Sequence, residues 1–109
     1  MALSRIEKEA LTAFRERLEA ALGDVFAGVK LFGSKARGDD KTDSDVDLLV
    51  LVSSDDWRLA DAVYEVGTDI LLDFGVLVSP KVISLGQYEQ MMKEKTPFAV
   101  NVFRDAVAV

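Results

Sequence analysis

The sequence predicts an α+β fold, a small mixed sheet of three to four strands flanked by helices, and three observations carry that prediction. Two long segments, Leu3–Leu22 and Trp57–Phe74, repeat apolar residues at helical intervals, and each is followed by a glycine. Three shorter stretches, Val25–Phe32, Asp45–Ser53 and Val76–Ser84, are aliphatic and strand-like. The elements then alternate as helix, strand, polar loop, strand, helix, strand, helix, with no internal repeat and no linker. With 109 residues, positions 1–109 are expected to form a single domain.

In the first helix, Ser4 and Glu7 have the spacing of a capping box. Leu3, Ile6, Leu11, Phe14, Leu18 and Leu22 make its apolar stripe, Arg5, Lys8, Glu9, Arg15, Glu16 and Glu19 its solvated face, and Gly23 its stop. In the strand Val25–Phe32, Val29 and Leu31 share one face and Lys30 takes the other. The chain then turns at Gly33-Ser34, Lys35–Gly38 offers one helical turn, and Asp39–Asp43 is a polar connection. Beyond the strand Asp45–Ser53, Asp55 is placed to cap the second helix. The apolar face of that helix is read as Trp57, Ala60, Val63, Tyr64, Gly67, Ile70, Leu71 and Phe74, closed by Gly75. Pro80 confines the third strand to a sheet edge or forces a bulge. A short helix over Ser84–Lys95 carries Tyr88, Met91 and Met92. Thr96-Pro97 then opens a brief turn through Arg104, and Val107–Val109 adds a terminal strand.

Half of the residues are hydrophobic and 29% are charged, with only 2 prolines and 7 glycines, a composition that excludes disorder. There is no cysteine and no histidine, so disulfides, thiolate sites and zinc of the usual kind are excluded, and any metal is expected to be hard and oxygen-bound. A net charge of −6 argues against a general nucleic-acid binder and favours a basic protein partner. The amino terminus is charge-rich rather than signal-like. The longest apolar run, Val46–Val52 interrupted by Asp47, is far too short to cross a bilayer. A cytoplasmic location without membrane contact is therefore expected.

Chemistry concentrates between Gly33 and Val52. Asp45 and Asp47 occupy alternate strand positions and project from one face, while Val46, Leu48, Val50 and Val52 occupy the other and fix the register by burial. Two carboxylates held together are costly unless a cation lies between them. The pair reads as half of a divalent-metal site beside a phosphate-sized turn at Gly33-Ser34, where small residues let backbone N–H groups approach an anion. Two familiar motifs fail here. A P-loop would need Lys and Ser/Thr after Gly38 where this chain has Asp39 and Asp40. An EF-hand loop from Asp43 would need glycine at Leu48 and Glu at Ser54.

The pattern Phe32-Gly33-Ser34, Arg37-Gly38, then Ser44-Asp45-Val46-Asp47-Leu48-Leu49-Val50 resembles the signature of the minimal nucleotidyltransferases, a branch of the DNA polymerase beta superfamily. The likeness extends loosely along the chain, to a Pro97, Phe98, Asn101, Arg104 segment near the end. It implies that Gly33, Ser34 and the neighbouring amides, with Arg37, hold the triphosphate of ATP. It also implies that Asp45 and Asp47 are catalytic and bind the Mg²⁺ that bridges it. Lys35 and Arg37 each either contact phosphate or stay solvated.

Such proteins usually carry a third carboxylate on the strand after the second helix. The periodicity places Asp73 in the last turn of that helix; read as a strand, Ile70–Phe74 would make it the third acid. The resemblance further implies transfer of AMP to a hydroxyl on a protein partner, a helical HEPN-type toxin that this protein would silence as antitoxin. The alternative is a binding module that neutralises its partner by contact, with Trp57, Tyr88, Met91 and Met92 as interface candidates for which core packing is the competing role. Antibiotic nucleotidylation is expected to need a second, acceptor-binding domain. Self-association is left open by the sequence.

Overall fold

The computed structural model of the chain describes residues 3–33 and 45–109, apart from the side chains at 101 and 103–105. Ser4 starts the first helix as its spacing predicts: its hydroxyl accepts from the Glu7 N–H at 3.2 Å, and Glu7 Oε1 accepts from the Ser4 N–H at 2.9 Å. The elements are α1 (Arg5–Leu22), a 3₁₀ turn (Gly23–Val25), β1 (Phe26–Phe32), β2 (Val46–Val52), α2 (Arg58–Phe74), β3 (Val78–Ser84), α3 (Leu85–Glu94), α4 (Pro97–Asp105) and β4 (Val107–Ala108).

The sheet runs β3-β2-β1-β4. β1 is antiparallel to β2 and to β4, whereas β2 and β3 are parallel, with α2 as the crossover that a parallel pair requires. α1 and α2 pack on one face of this mixed sheet, around Val29, Leu31, Val46, Leu48, Val50 and Val52. On the other face Leu49, Leu51, Ile83 and Val102 form a second cluster, joined by Phe32, Tyr88, Met91 and Phe98. β2 is thus a central strand covered on both faces, which is why it reads as a nearly continuous aliphatic run.

Pro80 sits on an edge strand, and the β2–β3 register runs from Val46 opposite Val78 to Val52 opposite Ser84 with no bulge. The Val46 N–H donates to the Leu77 carbonyl at 3.0 Å. By strand alternation the main-chain groups of Ser79 and Lys81 also face β2, and the N–H that Pro80 lacks falls on the open side. The same edge explains how closely α2 lies on β3: a Cβ added at Gly67 would come within 3.2 Å of Val78 Cγ2.

Three expectations are corrected. β3 begins at Val78 rather than Val76. The side chain that meets the start of α2 is Asp56, not Asp55: its Oδ1 accepts from the Arg58 N–H at 3.0 Å, and the Arg58 guanidinium reaches the same carboxylate at 2.9 Å. Those hydrogen bonds, the side-chain ones foremost, hold the Asp56 carboxyl below the usual carboxylate range. The buried face of α2 is Val63, Val66, Gly67 and Ile70. Trp57 is 75% exposed, and Tyr64 and Leu71 are exposed on the flank of the helix, because only a narrow stripe of α2 meets the sheet. Two expected caps are in place, Gly75 ending α2 at φ 69° and Thr96 accepting from the Ala99 N–H ahead of Pro97, and the structure adds a second capping box, Ser84 with Gln87, at the start of α3. Among the described residues no helix is long and apolar enough to cross a membrane.

Candidate functional site

Asp45 immediately precedes β2 and Asp47 is the second residue of the strand. Asp47 has the parity of Leu49 and Leu51, whose side chains lie in the cluster beneath α3 and α4, so it projects from that face. Its lateral neighbours are Phe32 on β1 and Ser79 on β3. Asp45 is tied to the same place, since the Ser79 hydroxyl donates to Asp45 Oδ2 at 3.2 Å. The two carboxylates therefore share one mouth of the sheet, with Asp45 exposed and Asp47 half-buried.

Gly33 makes room for this arrangement. Its φ of 76° lies in the left-handed region, and a Cβ built there would collide with Asp47 Oδ2 and stand 3.3 Å from its Cγ. The glycine after β1 is thus needed where it stands by the carboxylate on β2, beyond any need of a bound anion. Ser34, Lys35, Arg37, Gly38 and the acidic residues 39, 40 and 43 lie outside the described residues, as do the side chains of Asn101 and Arg104.

Asp73 does not join the pair. It lies in the last turn of α2, on the α1 side of the sheet, where its carboxylate pairs with Arg17 at 2.8 Å and Arg17 in turn lies over the Phe74 ring at 5.8 Å. The strand that the resemblance would give a third acid is β3, and β3 brings the hydroxyl of Ser79 to the aspartates instead. Among the described residues no three acidic, histidine or cysteine side chains form a metal-ligand group. Two carboxylates and a hydroxyl are nevertheless an all-oxygen set of the kind Mg²⁺ accepts, since that ion keeps several waters and takes its other ligands from substrate phosphates.

Ser79 escaped the sequence reading because nothing local marks a serine two residues into an edge strand. Its role follows from a pairing across 34 positions of chain. Lys81, on the same face of β3 as Ser79, was missed for the same reason. Its ammonium lies 4.6 Å from the centroid of the Phe98 ring. A separate groove at the other end of β2 and β3, lined by Asp55, Ile83, Ser84, Gln87 and Met91, contains neither aspartate.

These features define an α+β protein with two carboxylates and a serine hydroxyl gathered at the mouth of its central strand. The chain belongs to the nucleotidyltransferase domain family, whose profile matches residues 8–101. No curated protein matches it. Among solved structures, one described as a candidate nucleotidyltransferase from Sulfolobus solfataricus is similar over 99% of this chain and 89% of its own, at 19% identity and a TM-score of 0.48.

Proposed function

We propose that the protein moves a nucleoside monophosphate, AMP from ATP, to a hydroxyl of a protein partner in the presence of Mg²⁺, and that the partner is a helical HEPN-type toxin which it silences. Family membership supports nucleotidyl transfer in general. The observation that carries the reading is the placement of Asp45 and Asp47 at one mouth of the sheet, beside a glycine whose missing side chain accommodates the Asp47 carboxylate. In this reaction the acceptor hydroxyl gives up its proton to solvent, its oxygen bonds to the α-phosphorus, the bond from that phosphorus to the bridging oxygen breaks, and pyrophosphate leaves. Asp45 and Asp47 would hold the Mg²⁺, whose contribution when bound is to neutralise the phosphates and favour the attacking oxygen. Ser79 holds Asp45 in place, and the net charge of −6 suits a basic partner.

A second reading, a binding module that neutralises by contact, draws on a specific observation: Ser79 stands on β3 where a third acid is expected. One experiment separates the two. The protein is incubated with labelled ATP, Mg²⁺ and the product of the neighbouring gene, beside an Asp45→Ala, Asp47→Ala double variant. Label on the partner from the wild type alone, with transfer reduced at least about a hundredfold in the variant, is the expected result. Absence of transfer, with neutralisation surviving the double substitution, would overturn it in favour of the binding module.

A further inference from the structure

We propose that Lys81 is a phosphate-binding residue of this site, contributing to the triphosphate a positive charge that a metal ion held by a third carboxylate would otherwise contribute. The inference rests on the nucleotidyl-transfer reading and deepens it. Three observations place the ammonium. First, Lys81 follows Ser79 by two residues on β3 and shares its face, and Ser79 is paired with Asp47 while Lys81 is paired with Leu49. Strand spacing and rise then set the Lys81 and Asp47 Cα atoms about 8 Å apart, within the reach of a lysine side chain.

Second, the Phe98 ring receives the ammonium at 4.6 Å and also meets the Phe32 ring in a T-shaped contact, with centroids 5.7 Å apart and planes at 86°. Phe32 is the β1 neighbour of Asp47 and leads directly into Gly33. Phe98 therefore links a ring on β1 to the cation on β3, across the same face of β2 from which Asp47 projects. Third, Lys81 is exposed, and among the described residues its ammonium makes no ion pair; its contact is the aromatic ring.

The electrostatics give this cation a task. Two carboxylates and a hydroxyl suit a single divalent ion, which leaves phosphate oxygens away from that ion uncompensated. An exposed ammonium resting on a half-buried ring, with no ion pair to give up among the described residues, is a flexible point charge suited to phosphate. The rival role for a lysine here is to guard an open sheet edge against strand pairing, which requires no phosphate.

Calorimetric titration of the full chain with ATP and with AMP, each with Mg²⁺, distinguishes the roles, using wild type, Lys81→Gln and Lys81→Arg. The expected result is a Kd for ATP raised about tenfold or more in Lys81→Gln, the loss of one charge-assisted hydrogen bond, with AMP affinity unchanged. Lys81→Arg should restore most of the ATP affinity, and all three proteins should melt together. If the wild type binds ATP and Lys81→Gln binds it equally, or if ATP and AMP weaken in parallel, the assignment to phosphate fails while the functional reading stands. A wild type that binds no ATP overturns both.

Discussion

On one face of β2, Val46, Leu48, Val50 and Val52 all lie buried beneath α1 and α2; on the other, Leu49 and Leu51 are buried beneath α3 and α4 while Asp47 is half-buried and Asp45 exposed. The backbone is the same for both, so the difference comes from where helical cover ends. A full row of aliphatic side chains fixes the strand's register, because a slip of one residue would drive Asp47 into the core. The second face uses that fixed register to hold two carboxylates together at its open end. Burial on one side thus stabilises a placement of charge on the other that would not form by itself.

The largest expected effect tests the buried face. Leu48→Ala should lower the unfolding free energy by about 2–5 kcal/mol, read from denaturant melts. Asp47→Asn, a near-isosteric change at the open end of the strand, should cost much less; a comparable loss in both variants would break the distinction between the faces. Gly33→Ala comes next, with about 1–3 kcal/mol lost to left-handed strain and collision with Asp47, and weakened divalent-ion binding in the folded fraction. If its ion binding is unchanged, Asp47 is not held where the ion sits.

Ser79 sharpens the open end of the comparison. Ser79→Asp places a third carboxylate against the pair and is expected to tighten Mn²⁺ or Mg²⁺ binding about tenfold, measured by titration, at some cost in stability. Asp73→Asn, on the other side of the sheet and paired with Arg17, should leave that affinity unaltered. The smallest effect lies at Asp56. Its folded carboxyl is held low by Arg58, so its contribution is present above the unfolded carboxylate pKa of about 3.9 and is lost as the pH falls through the lower folded value. Because the pair is solvent-exposed, Asp56→Asn should lower stability only slightly at neutral pH, and the difference from wild type should vanish as the pH falls through the folded value.

Much of the local architecture was legible in residue order. The capping box of Ser4 and Glu7, Gly75 at the end of α2, Pro97 opening α4 and Pro80 on an outer strand each express a backbone constraint acting within a few residues. Helical periodicity likewise placed Asp73 at the end of a helix rather than on a strand. The exposed flank of α2 was less legible: Trp57 and Tyr64 fit a helical stripe as well as Val66 does, and only the position of the sheet beneath decides which stripe is covered.

By itself, then, the sequence determined that Asp45 and Asp47 project together opposite a buried aliphatic row, because strand alternation has a period of two wherever the strand lies. Only the tertiary structure decided what stands beside them. Ser79 reaches Asp45, Lys81 rests on Phe98, and Asp73 is turned to the far face, because the register of β3 on β2 and the side on which each helix packs are fixed by contacts between residues distant in the chain.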